Sequence, residues 1–160
     1  MDLGSPSHGR HHDDMEASHP LPIRRVLLAV DLAYTSRDAI EEAIELAVMH
    51  GADLVVLSVV DGSKLALPGG RKRRVDQERD RLETGVRAIV RRARDAGVRA
   101  THLVWEGDPA QSILDAALSE SADVIVLGSR PRMGLRRLLL GRTSTEVSRA
   151  AACRVLVVTT

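Results

Sequence analysis

Aromatic residues are nearly missing from this chain of 160 residues, which has one tyrosine, Tyr34, one tryptophan, Trp105, and no phenylalanine. Surfaces that hold unpaired nucleic acid stack bases on such side chains, so the composition argues against that class of function. Cysteine is equally scarce. The lone Cys153 permits no internal disulfide, which fits a reducing compartment, and it reads as a small buried apolar side chain rather than a nucleophile. An excess of one charge is lacking too, with 23 Lys and Arg against 22 Asp and Glu. Neither nucleic acid nor an anionic membrane is therefore an expected partner, because attraction to either would have to come from a local patch. No apolar run approaches the roughly 20 residues of a membrane-spanning helix. The longest strand-like stretch is Leu54 to Val60, and the N-terminus carries no hydrophobic signal segment. The expected location is the cytoplasm.

Residues 1–22 are rich in Ser, Pro, Gly, His and Asp without periodicity, and are expected to form a disordered tail. Its His11-His12-Asp13-Asp14 cluster has no fixed geometry, so no metal site is expected there. Residues 23–160 are expected to form one domain, a length that suits a single core.

Within it, short apolar runs alternate with amphipathic segments. Arg25 to Asp31 reads as a buried strand stopped by a carboxylate. Thr35 and Ser36 offer N-caps to a helix whose apolar face is Ile40, Ala43, Ile44, Ala47 and Val48, and Gly51 ends it. His50 reads as a favourable charge in that helix's last turn. Asp53 to Val60 is a second strand, followed by a mobile solvated loop that includes Arg71-Lys72-Arg73-Arg74. A long helix from about Val75 to Ala96 presents Leu82, Val86, Ile89, Val90 and Ala93 to the core. Arg99 to Trp105 alternates more and belongs near a sheet edge, with His102 on its polar side. Asp108, Pro109 and Gln111 start the next helix as N-cap, first helical residue and capping-box partner. Val124 to Leu127 is a fourth strand, and Arg154 to Thr160 the last.

Between those last two strands lies the most informative stretch. Gly128, Gly134 and Gly141 are interspersed with Arg130, Arg132, Arg136, Arg137 and Arg142, without one acid. A helix then begins near Thr143, where Thr143 and Glu146 match a capping box. Strand, cationic loop and helix start together favour a bound phosphate. A solvated basic loop, with Leu135 and Leu138 to Leu140 packed on the core, explains the same residues. Both readings stand on sequence alone.

Alternating strands and helices imply a parallel sheet covered on both faces, with ligands bound beyond the C-terminal strand ends where the winding reverses. Sequence order does not locate that reversal. Should the chain wind outward through its first three strands and return beside the first with the fourth, the crevice falls between Asp31 and Gly128. The last strand would then sit at an edge, to be paired with a second copy or covered by the tail or a loop.

Four segments carry a resemblance to a known family: Val26-Leu-Leu-Ala-Val-Asp31 leading to Ser36, Glu106-Gly-Asp-Pro-Ala-Gln-Ser-Ile113, Ala122-Asp-Val-Ile-Val-Leu-Gly-Ser129, and Leu138-Leu-Leu-Gly-Arg-Thr-Ser-Thr-Glu-Val147 running on to Cys153. With them residues 24–160 resemble a universal stress protein domain. The resemblance implies a Rossmann-like five-stranded parallel sheet of order 3-2-1-4-5, akin to the adenine nucleotide alpha hydrolases. It also implies a homodimer through Val155 to Val158 and, in one branch, ATP in the crevice. There Asp31 would meet the adenosine portion and Val59 line the base pocket. The branch's loop motif, Gly-x-x-Gly-x9-Gly-Ser/Thr, keeps its first and third glycines as Gly128 and Gly141. Pro131 replaces the second and Arg142 the hydroxyl residue, while Leu32-Ala33 stands for the family's Gly-Ser. Proline donates no N–H and cannot reach positive φ, so the implied ATP site is weakened, with Arg130, Arg132, Arg142 and Thr143 as its remaining phosphate-side groups.

The expected function is a stress-response domain with a degenerate adenine-nucleotide site, taking Mg²⁺ only with the nucleotide. The alternatives are a dimeric interaction module with an empty crevice and a cyclic AMP binder. An ATP-hydrolysing enzyme fits worst, since there is no Gly-x-x-x-x-Gly-Lys-Ser/Thr loop, no carboxylate clearly paired with Asp31 for a metal, and no Ser/His/Asp set at readable spacing.

Overall fold

β1 (Arg25–Ala29) is the middle strand of a five-stranded parallel sheet of order β3-β2-β1-β4-β5. The computed structural model describes residues 21–32, 37–65, 69–129 and 141–159. After β1 come α1 (Arg37–His50), β2 (Asp53–Val60), a 3-10 turn (Gly62–Leu65), α2 (Arg71–Asp95) and β3 (Ala100–Glu106). Then follow α3 (Pro109–Ser119), β4 (Val124–Ser129), α4 (Arg142–Ala150) and β5 (Arg154–Thr159). The expected fold and strand order are those observed, and β3 and β5 are the two edges.

Strand alternation sorts the core into two layers. Val26, Leu28, Val30, Val56, Val124 and Val126 pack under α1 and α2, while Leu27, Ala29, Val55, Leu57, Ile125 and Leu127 pack under α3 and α4. Each strand of the sheet's middle thus buries both faces, which is why the interiors of β1, β2 and β4 are apolar apart from Ser58. Left-handed glycines end two helices as expected, Gly51 at φ 61° and Gly97 at φ 84°.

Four local expectations need correction. Arg71 to Arg74 are the first turn of α2 rather than a loop. Arg and Lys are good helix formers, and the neighbouring Val75 is buried in a small cluster with Val60 and Leu82 that holds this end of the helix down. Val48 is 53% exposed and does not join the buried face of α1. Gln111 donates its backbone N–H to Asp108 (3.0 Å), as an N-cap requires, but its side chain reaches Asp115 (2.8 Å) rather than closing a box. Thr143 lies inside α4, whose N-cap is Gly141 with no side-chain cap, and Glu146 instead accepts from Arg142 Nε at 2.8 Å. A charge-assisted bond one turn away outcompetes the weaker reach back to a backbone N–H. The strand ends move by a residue or two: β1 stops at Ala29, β3 begins at Ala100, and β4 runs on to Ser129. The expected caps Thr35 and Ser36, the tail up to residue 20, and the apolar turn at Leu135 and Leu138 to Leu140 lie outside the described residues.

At the other end of the sheet, Asp123 ties the start of β1 to β4. Its Oδ2 accepts the backbone N–H groups of Arg24 at 2.7 Å and Arg25 at 2.9 Å. Replacing Asp123 by Ala leaves the part-buried Arg25 N–H without its acceptor, while the exposed Arg24 N–H can turn to water, with an expected cost of about 1 kcal/mol. Asp123→Asn, which keeps one acceptor, should recover part of it in urea unfolding.

His102 sits half-buried on β3, its Nε2 2.8 Å from Glu83 Oε1 on α2. That hydrogen bond, opposed by partial burial and reinforced by Arg87, holds the Glu83 carboxyl below its ordinary value of 4.5. A depressed carboxyl contributes stability above the unfolded-state value and loses it as pH falls through the lower folded one. Urea midpoints of the wild type should therefore drop below pH 4.5 more steeply than those of Glu83→Gln. Equal slopes would show that the pair does not couple to folding.

Candidate functional site

The site is set by the β1–β4 pairing. Ala29 stands opposite Leu127, so the turn that follows β1 and the end of β4 leave the sheet side by side. From β1 the chain winds to one edge through β2 and β3, and from β4 to the other through β5. This is the reversal at which a doubly wound sheet opens a crevice.

Two bonds hold the β1 end in place. Val30 donates its N–H to the Leu57 carbonyl at 2.8 Å, and its own carbonyl accepts the Ser58 hydroxyl at 2.9 Å. Ser58 is almost wholly buried, a polar residue inside an apolar strand. Sequence reasoning misses it, and its only trace there is one hydroxyl in the run Leu54 to Val60. Asp31 follows directly and is exposed. Ser58→Ala leaves the Val30 carbonyl without that donor, at an expected cost of about 1–2 kcal/mol in urea unfolding, and Ser58→Thr should retain most of the stability.

The structure gives the expected site residues different surroundings. Val59 is half-buried on β2 opposite Trp105 of β3, packed against the layer under α3 and α4. Gly128 lies within β4 opposite Val158. Gly141 caps α4 in extended conformation, φ −62° and ψ 162°, and a Cβ added there would meet no described atom within 4 Å. Arg142 is exposed and Thr143 half-buried in the helix's first turn. Arg130, Arg132 and Pro131 lie outside the described residues.

The chemistry at the start of α4 suits an anion. Its N-cap supplies no side-chain acceptor, which leaves first-turn N–H groups available at the positive end of the dipole. Arg142 adds a guanidinium. Hydrogen bonding to Glu146 raises that group above its ordinary value, the charges of Glu146 and Asp108 adding to the effect, so it is cationic at any physiological pH. A phosphate would have to share it with Glu146. Among the described residues no group of three or more His, Cys, Asp or Glu is placed to hold a metal ion, and no helix is long and apolar enough to cross a membrane.

A groove of about 310 Å³ lies elsewhere, at the opposite end of the strands. It is lined by Leu114, Ala117, Leu118, Ala122, Ala151 and Cys153 among others, and has none of the cationic chemistry of the α4 start. Burial pushes the Cys153 thiol up from its ordinary value, a backbone hydrogen bond opposes this, and the charge of Asp123 adds to it. Cys153 is half-buried rather than buried as expected, so iodoacetamide at pH 8 should label it only modestly more slowly in the folded chain than in urea, and a folded rate equal to the unfolded one would contradict the raised thiol.

Comparison with known proteins agrees with this architecture. The pattern of the Universal stress protein family matches residues 22–159. Universal stress protein YxiE of Bacillus subtilis is 31% identical over 144 residues, covering 84% of this chain and 97% of that protein. The structure of universal stress protein UspA from Lactobacillus plantarum superposes with a TM-score of 0.74 at 26% identity, covering 85% of this chain and 97% of the other. A universal stress protein solved in complex with cAMP superposes at 0.57 and 21% identity, covering 87% and 98%, a likeness of fold. With the family pattern spanning nearly all described residues and the strand order in agreement, the chain belongs to the universal stress protein family.

Proposed function

We propose that this chain is a non-catalytic stress-response domain that binds an adenine nucleotide weakly in the crevice between the β1 and β4 ends. The observation that carries the reading is the β1–β4 pairing, which brings the Asp31 turn and Gly128 to one reversal of the sheet. Asp31 takes the adenosine end, with Val59 toward the base. Gly128, Gly141, Arg142 and Thr143 take the phosphate end, together with Arg130 and Arg132 of the intervening segment. ATP is the principal ligand, and Mg²⁺ arrives only with it. Cyclic AMP, the ligand of one protein of similar fold, needs fewer phosphate contacts and is the competing occupant.

Calorimetric titration of the full chain with ATP and cyclic AMP, with and without Mg²⁺, tests this. Arg142→Ala should weaken ATP about two- to fivefold, the scale of one solvent-exposed charge contact. Tight ATP binding indifferent to that change would refute the phosphate end as described. ATP turnover proportional to protein concentration would refute the non-catalytic reading.

A second reading has its own observation. β5 is an edge strand whose Val155 to Val158 are only half-buried, with no outer strand among the described residues, so a second copy could extend the ladder. A homodimer through Val155 to Val158 follows, and with no nucleotide bound it would act as an interaction module. A monomer persisting at high concentration in light scattering counts against the dimer.

A further inference from the structure

Gly85 stands in the interior of α2, where glycine is the poorest helix former after proline. Its backbone shows the reason. A Cβ added there would run into the Cδ1 of Leu32, with the Leu32 Cγ at 3.1 Å and Cδ2 at 3.2 Å. The Leu32 side chain fills the notch that the missing side chain leaves. From there it touches two packed groups at once, the layer containing Val30 and Val86 and the cluster of Val60, Val75 and Leu82.

Leu32 is the residue after Asp31 in the turn that leaves β1. A turn is easily displaced, since few ladder bonds hold it. Here a half-buried leucine pins it to a long helix that packs on β2 and β3. One turn earlier on α2 lies Arg81, close enough to Asp31 for the two charges to interact. Arg81, held by Glu78 at 2.7 and 3.0 Å, is raised above its ordinary value chiefly by that hydrogen bond, against partial burial, with the charges of Glu78 and Asp31 adding.

We propose that Leu32, seated in the Gly85 notch of α2, is a positioning residue that sets where Asp31 stands at the crevice, making α2 a structural part of the binding site. The inference rests on the reading of that crevice as an adenine-nucleotide site. A site held about 1 Å out of place loses much of its purpose, and a residue keyed into a helix is a means of preventing that.

Gly85→Ala separates this role from plain packing. The added methyl improves helix propensity while evicting Leu32, so the urea midpoint should change little. The Asp31 backbone amide should shift in the NMR spectrum, and ATP affinity should fall about fivefold or more, the scale of one displaced hydrogen bond. Adding Leu32→Ala to that variant removes the collision, and the double variant should be more stable than Leu32→Ala alone because the new methyl refills the notch. An Asp31 amide unmoved by Gly85→Ala overturns the proposal, as does a moved amide with unchanged affinity in a chain that binds ATP. Should Gly85→Ala fail to fold, Leu32→Ala carries the same two readouts with no collision. If the wild type binds no nucleotide, the functional reading fails, and the amide shift alone decides whether Leu32 positions Asp31.

Discussion

Truncating Leu27 to alanine should cost about 3–4 kcal/mol, the range for a wholly buried leucine whose surroundings cannot collapse. Leu27 has no exposed surface and is the midpoint of a row that crosses the whole sheet: Thr101, Val55, Leu27, Ile125 and Val155 stand in register on five strands. It packs in one layer with Ile113, Ala116 and Val147 from the helices above. Backbone ladders on both sides fix β1, so the hole cannot be closed by moving the strand without breaking hydrogen bonds to β2 and β4 together. The same truncation at the end of the row has a smaller effect. Val155 on edge strand β5 is only half-buried, and Val155→Ala should cost about 1 kcal/mol. Urea unfolding of both variants checks the gradient. A Leu27→Ala cost no larger than that of Val155→Ala would mean the sheet centre is less tightly packed than its burial indicates.

That gradient explains which parts of the fold were legible in the sequence. A strand buried on both faces takes almost only apolar residues, so β1, β2 and β4 announce themselves as nearly continuous runs, and the alternating Thr101-His102-Leu103 marks an edge. Strand order was not readable from the runs alone, because pairing depends on where crossovers return. It came with the family resemblance. Errors gathered where electrostatics competes with helix formation. Four consecutive cations looked like a loop, yet each is a good helix former and Val75 anchors their turn. A Thr-x-x-Glu spacing looked like a cap, yet Arg142 stands where it can claim Glu146. Asp31 and Gly128 are legible as breaks that end apolar runs, and the strands they follow do pair. The supports are not. Ser58 binding the Val30 carbonyl and Leu32 filling the Gly85 notch are contacts between residues 28 and 53 positions apart. No local periodicity encodes them, and the only traces are a hydroxyl in an apolar strand and a glycine in a long helix.

Asp31→Ala should weaken binding about 10- to 100-fold, the effect of deleting one partner of a charge-assisted hydrogen bond. The magnitude exceeds that expected for Arg142→Ala, and the ligand dependence differs more sharply still. If Asp31 meets the adenosine portion, ATP, AMP and cyclic AMP carry the group it recognises in one form or another. Each should then lose affinity, cyclic AMP least if its ring engages one of the sugar hydroxyls. Arg142 is exposed at the start of α4 and is proposed to meet the phosphate chain alone, so its removal should affect ATP more than AMP and leave adenosine unchanged. High salt should weaken the Arg142 contribution more than that of Asp31, because the Arg142 contact is between exposed charges that mobile ions screen. Two variants titrated against four ligands therefore locate both ends of the nucleotide. An Asp31→Ala variant that loses ATP while binding adenosine as well as the wild type does would place that carboxylate at the phosphate end, through a metal ion, and reverse the proposed orientation.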